Sequence, residues 1–344
     1  MTARHNRPAS AWLVLATLAL AACGADERAP EAHITGATMG TTYSVRVVDP
    51  PPGTSIDELT RGIQRALEDV NRRMSTWRDD SEISLFNAAP AGEWFAVSGD
   101  TAALVAMAGA VSRMSDGAFD VTVGPVVDLW GFGPEPVRVT PPAEGEVAAA
   151  LARVDHTALE SREDPPALRK SEASLAVDLS AIAKGHAVDR VAAVLAQSDI
   201  GNYLIEVGGE LRVAGHNRRG EPWTVAIEDP LAAGRAVHRV LNVSDTAVAT
   251  SGDYRNFFEY EGRRYSHTID PRTGWPVSHG LVSVTVLDDS AALADALATA
   301  LLVLGPETGG RLAEQAGVAA YFLVRSGDGV MARWTSRFAE REVM

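Results

Sequence analysis

The stretch SAALADALATALLVLGP, residues 290–306, organises the reading of everything around it. Ser290 offers a helix cap, the positions after it are nearly all Ala, Leu or Val, and Gly305-Pro306 closes the run. The pattern predicts a strongly apolar helix ending at Leu304. Before it, residues 281–287 read as a strand, and residues 257–265, turning at Glu261-Gly262, read as a hairpin. After it, residues 320–334 read as another hairpin around Gly327-Asp328-Gly329. An apolar helix between hairpins, with strands of mixed length, predicts an α+β fold with mixed or antiparallel sheets and packed helices, not a regular doubly wound sheet.

Toward the N-terminus the same interleaving continues. Residues 42–48 alternate like a strand. Ser55 and Glu58 form a capping-box pair ahead of a helix with Leu59, Ile63, Leu67, Val70 and Met74 on one stripe. A second helix is expected over residues 101–114, stopped near Gly117. Residues 175–179, 203–207, 223–227 and 237–243 are β-rich. The Pro- and acid-rich stretches at 134–146 and 161–166 read as loops inside one folded unit, so a single domain is expected over 33–340.

The first residues have a different character. Arg4, His5 and Arg7 precede an apolar run, 11–22, too short to span a bilayer as a mature helix. It ends in Leu20-Ala21-Ala22-Cys23, which resembles a bacterial lipoprotein signal; an ordinary secretory signal with an incidental Cys is the alternative, and in both the mature chain is exported. Residues 1–22 are therefore expected to be removed, leaving Cys23 as the lipid-bearing N-terminus and 23–32 as a tether. The chain is then exported, anchored by lipid to a membrane and facing the periplasm. Cys23 is the only cysteine, so no intramolecular disulfide can form. With a net charge of −14, most of the surface repels a polyanion, which argues against nucleic acid as partner.

Several segments could carry chemistry. Asp295 and Thr299 lie four apart, so a helix puts them on one face a turn from each other. Among Ala and Leu neighbours, a carboxylate must be paired or bind a cation, and Asp plus Thr is a hard-oxygen pair suited to Mg²⁺. The pair equally fits a dipole-favoured acid near a helix start and a hydroxyl bonded back to its own helix. In VDLSAIAKGHAVD, 177–189, Asp178 ends a predicted strand and a helix is expected after Gly185. Lys184 could meet a phosphate and the carbonyls near Ala181 a metal; turn and capping chemistry would use the same residues.

Gly208-Gly209, read as lying inside a strand, marks a bulge or a close backbone approach. It opens no helix, so a dinucleotide-binding GxGxxG reading fails. GAFDVTVGPVVDLWGFG, 117–133, sets glycines beside aromatics, as in a groove for a planar ligand or a buried loop with aromatic anchors. SHTIDPRTG, 266–274, gathers His267, Asp270 and Arg272 on a loop bracketed by Pro271 and Gly274. No GxSxG, HExxH or CxxC occurs, which argues against a serine hydrolase elbow or a zinc protease.

Taken in order, these segments resemble the ApbE-like FAD:protein FMN transferases. The resemblance runs through GATMGTTYSV (36–45), MSTWRDDSEISLFN (74–87), GAFDVTVGPVVDLWGFG, VDLSAIAKGHAVD, EVGGELRVAG, ATSGDYRNFF, SHTIDPRTG and ADALATALLVLG. It implies the ApbE-like, T-fold-related flavin transferase fold. It also implies an enzyme that binds FAD with Mg²⁺, breaks the pyrophosphate, joins FMN by a phosphoester to a Thr or Ser hydroxyl of a partner flavoprotein, and releases AMP. Partners of this kind are exported, electron-transport flavoproteins. The metal positions implied here are Ala181 (through its carbonyl), Asp295 and Thr299. The implied FAD positions are Met39, Trp77, Arg78, Asp79, Ala118, Phe119, Asp120, Asp178, Lys184 and Ile269, with His267 as the base. Lys184 departs from relatives that carry an acid there. A Mg²⁺-dependent FAD pyrophosphatase would use the same pocket with water as nucleophile, whereas a flavin-storing lipoprotein would need neither metal nor base.

Overall fold

The computed structural model describes residues 29–134, 138–232, 234, 236–254 and 256–342. The signal segment 1–22 and Cys23 lie outside the described residues.

Eight strands form one sheet: β1 (Glu31–Thr38), β2 (Thr41–Val48), β3 (Tyr203–Val207), β4 (Glu210–Ala214), β5 (Thr246–Gly252), β6 (Leu281–Asp288), β7 (Ala319–Ser326) and β8 (Gly329–Trp334). They lie side by side in chain order, each antiparallel to the last, so the α+β expectation holds and the sheet is an interrupted meander. β1 begins at Glu31, inside the stretch read as tether, and Ala29 already donates to the Arg218 carbonyl.

Both faces of the sheet are covered. Val45, Ile205, Ala249, Val284 and Phe322 pack toward the helices on one side. Val48, Val213, Val248, Leu287 and Leu323 pack on the other against the hairpin of Trp223–Glu228 and Val237–Val243 and against Phe338. Alternate residues of a strand point to opposite faces. That is why β6 is buried along nearly its whole length instead of alternating.

Four helices matter for the site: α1 (Ile56–Met74), α2 (Gly99–Met114), α3 (Ser180–Ala196) and α4 (Ala291–Gln315). The stripe predicted on α1 is its buried face, and Ser55 caps it by accepting from the Glu58 N–H. In α4 the predicted stop at Gly305 is a kink (φ 76°, ψ 176°) after which helix resumes to Gln315. Pro306 fits there because the first residue of a new helical segment needs no N–H.

Other expectations differ from the fold. Residues 161–166, read as a loop, belong to a hairpin in which Leu159–Glu163 pairs with Pro166–Lys170 and only 164–165 turn. Residues 175–179 join no ladder; the Asn87 side chain takes the place of a neighbouring strand, bonding both Val177 N (2.7 Å) and Val177 O (2.9 Å). The following helix starts at Ser180, so Gly185 lies inside α3, where it lets α4 approach. A methyl there would come within 2.8 Å of Ala292 Cα and overlap the Ala291 carbonyl.

Candidate active site

Two tight turns and two helices meet at one end of the sheet. Met39-Gly40 turns β1 into β2 with both residues at positive φ (50° and 68°). Gly208-Gly209 turns β3 into β4 at φ 61° and 110°, so the paired glycines form a hairpin turn rather than a bulge. Its Gly208 N–H donates to Thr42 O at 3.1 Å, which joins the two turns. The Lys184 stem of α3 crosses Gly208 so closely that a Cβ there would sit 3.2 Å from Lys184 Cδ.

Three charged side chains converge beneath these turns. Lys184 Nζ lies 2.5 Å from Glu210 Oε1, with about a third of the lysine side chain (32%) still reaching solvent. Glu210 and Asp295 are both 3% exposed. Asp295 Oδ2 accepts from the Gly185 N–H at 3.1 Å. In helical geometry that same N–H faces the carbonyl of Ala181, so the Asp295 carboxylate and the Ala181 carbonyl share one amide. Thr299, a turn further along α4, lies 3.0 Å from Ser251 Oγ of β5. Asp295 is thus a buried acid from the second turn of α4, and the hydroxyl of Thr299 engages the sheet.

Burial pushes the Asp295 carboxyl above its ordinary value, while the Lys184 charge and the Gly185 N–H oppose the rise. Burial also pushes Glu210 up, to about 7, against the pull of Lys184. For Lys184, burial works against the charge, but Asp295 and Glu210 outweigh it and hold the ammonium above its usual range. One cation against two carboxylates leaves the cluster short of positive charge. A carboxylate, a carbonyl and a hydroxyl, all hard oxygens, fit a divalent cation such as Mg²⁺.

His267 sits on the loop after the hairpin of Phe257–Tyr260 and Arg263–Ser266. Its Nδ1 is 3.0 Å from the Asn256 carbonyl. A carbonyl only accepts, so Nδ1 carries the proton and Nε2 keeps its lone pair. The ring meets Phe132 edge-on at 6.2 Å. Burial lowers the imidazole pKa below its usual value, the Asn256 bond raises it, and the charges of Lys184 and Arg264 lower it further. Asp270 does not orient His267; it is held by Arg272 through bonds of 2.9 and 2.8 Å. The loop is fixed instead by Trp130, whose indole donates to Gly274 O at 2.9 Å and stacks on Tyr265. The aromatics of 117–133 thus act as buried anchors.

The remaining predicted residues differ in exposure and in the partners they already hold. Met39 belongs to the turn beside Gly208. Trp77 is 71% exposed, with its face free for a flat ligand, whereas Arg78 is occupied by Glu68 and Asp80 and Asp79 is exposed. Ala118, Phe119 and Asp120 are buried, and the Asp120 carboxylate is taken up by Thr122 and the His156 N–H, so this segment offers backbone rather than charge. Asp178 precedes the Leu179 N-cap of α3, and its carboxylate accepts from the Ser180 N–H at 2.8 Å. Ile269 is buried in the short pairing of Ile269–Asp270 with Trp275–Pro276. Sequence reasoning missed Glu210, Ser251 and the Asn256 carbonyl; an acid directly after paired glycines was the one local signal for the first.

Fold and site together define an α+β protein with buried oxygen groups suited to a hard cation, an ammonium beside them, and an imidazole whose Nε2 keeps its lone pair. The chain belongs to the ApbE family, whose sequence profile matches residues 39–322. A Vibrio cholerae protein named FAD:protein FMN transferase is 44% identical, the match spanning 95% of this chain and 97% of that one. An Escherichia coli protein of the same name is 37% identical over 92% of each chain. Among solved structures, the flavin transferase ApbE of V. cholerae superposes with a TM-score of 0.85 at 43% identity, covering 91% of this chain and 99% of its own. The apo flavinyl transferase ApbE of Pseudomonas stutzeri gives 0.84 at 41% identity, covering 92% and 98%.

Proposed function

We propose that this chain transfers FMN from FAD to a Ser or Thr hydroxyl of an exported flavoprotein, with Mg²⁺ as cofactor and AMP as leaving group. The reading rests above all on the buried Asp295 carboxylate, bonded to the Gly185 N–H beside Lys184 and one helical turn from Thr299; with them the Ala181 carbonyl would complete a set of hard oxygens. A Mg²⁺ ion held by those three oxygens would draw charge from the diphosphate of FAD as its bridge breaks. Lys184, one-third exposed, offers its ammonium to the same phosphates. Neutral His267 takes the proton of the acceptor hydroxyl on Nε2, while its Nδ1–H stays on Asn256. The freed oxygen attacks the FMN phosphorus, a new P–O bond forms, and the bond to AMP breaks with its electron pair leaving on AMP. Trp77 offers its exposed face to the isoalloxazine. The lipoprotein signal supports a protein that works on the exported side of a membrane.

The test incubates purified protein with FAD, Mg²⁺ and a candidate exported flavoprotein domain. Flavin fluorescence that stays with the acceptor after denaturing electrophoresis is expected. Free FMN without a labelled acceptor would recast the site as a pyrophosphatase, and unchanged FAD as a storage site.

A further inference from the structure

Glu210 has no part in the reaction outlined above, yet it is buried, titratable and incompletely partnered. Its Oε1 grips Lys184 at 2.5 Å, and its Oε2 has no hydrogen-bond partner among the described residues. It is the first residue of β4, directly after the Gly208-Gly209 turn, and that turn leaves the groove in which the lysine stem lies. Asp295 bonds the amide of Gly185, the neighbour of Lys184, so its carboxylate is close to the root of the same lysine. The Lys184 charge is felt at Asp295, but among the described residues the one hydrogen bond its ammonium makes to a carboxylate is to Glu210. A four-carbon stem with freely turning bonds can reach either acid. An ammonium seated on Asp295 would neutralise the carboxylate that a divalent cation needs.

We infer that Glu210 is a positioning residue that draws Lys184 aside and keeps Asp295 open to a divalent cation. The inference rests on the reading of Asp295 as the cation's ligand, and the experiment separates the two. Mn²⁺ binding to the full chain, without FAD, is followed by calorimetry and by the loss of the free-ion paramagnetic resonance signal. Glu210→Gln is expected to weaken Mn²⁺ binding at least ~10-fold, as the ammonium turns to Asp295. Adding Lys184→Met to that variant removes the competitor, and affinity is expected to return to within about threefold of Lys184→Met alone. Glu210→Ala, checked for an intact fold by circular dichroism, is expected to behave like Glu210→Gln.

Unchanged affinity in Glu210→Gln overturns the inference. So does a double variant as weak as the single, since that outcome makes Glu210 a ligand or a structural residue. Asp295→Asn is the separate control: if it binds Mn²⁺ normally, the metal reading itself is wrong, whatever Glu210 does.

Discussion

His267 shows how one backbone bond can set a side chain's chemistry. Because the Asn256 carbonyl fixes the tautomer and burial keeps the ring neutral, Nε2 is ready to accept a proton at pH 7. His267→Ala is expected to leave FAD affinity within about twofold and to slow transfer by roughly 10²–10⁴, the usual range for a lost general base. A large loss of FAD affinity in equilibrium titration would make it a binding residue instead. The pH profile follows from the direction of the shift. A base whose folded pKa lies below 6.5 is mostly neutral at pH 7, so kcat/KM should change little above pH 7 and fall as pH drops through a value under 6.5. The same lowering means that the stability His267 contributes is present above the unfolded value and lost as pH falls. At the other side of the site, Asp295→Ala is expected to cut turnover at millimolar Mg²⁺ by at least ~10²-fold, measured with saturating FAD. A near-normal rate would remove the metal assignment.

At the scale of elements, the site depends on how closely α3 and α4 pack. Gly185 is fixed by the Ala291 backbone, which cannot yield as a flexible side chain would. Gly185→Ala should therefore push the helices apart, lowering stability by about 3 kcal/mol, the upper end of overpacking costs, and lowering cation affinity with it. Asp189 of α3 makes the complementary contact. Its carboxylate accepts from Ala291 N and Ala292 N, each at 3.1 Å, and from Ser290 Oγ at 2.9 Å, so one helix caps the start of the next. Asp189→Ala should cost roughly 2 kcal/mol, seen as a lower denaturation midpoint in urea. A loss below half of that would show that Ser290 caps α4 unaided.

These examples also mark what local sequence can express. The α1 stripe and the hairpin at Glu261-Gly262 were legible because periodicity and turn chemistry act within a few residues. Asp295 and Thr299 could be paired on one face for the same reason. Asn87 acting as a strand for Val177 was not legible, since the two are 90 positions apart and nothing nearby distinguishes this Asn from a surface one. Likewise the helix placed after Gly185 starts at Ser180, because only tertiary packing gives that glycine its purpose. The ion pair of Glu210 with Lys184, 26 positions away, belongs to the same class.

At the scale of the whole molecule, the proposal that a lipid on Cys23 would hold this acidic protein at a membrane has consequences that can be tested. A net charge of −14 gives repulsion from anionic headgroups, not attraction, so electrostatics cannot supply the anchor. The chain enters the fold firmly: Ala29 exchanges bonds with Arg218, and Glu31 pairs with Arg46 and Arg218 at the edge of the sheet. From Gly24 to Ala29 there are six residues, enough for a reach of about 20 Å when extended. If Cys23 carries the lipid, it must do so alone, and the folded body stays close to the bilayer. Cys23→Ser, expressed with the native leader, is expected to shift the protein from the membrane fraction to the soluble one even at low salt. Since Cys23 precedes the sheet and its edge contacts, the transfer rate to a soluble acceptor domain should be unchanged. Retention of Cys23→Ser on membranes, resistant to both salt and carbonate washing, would mean that some other part of the molecule does the anchoring.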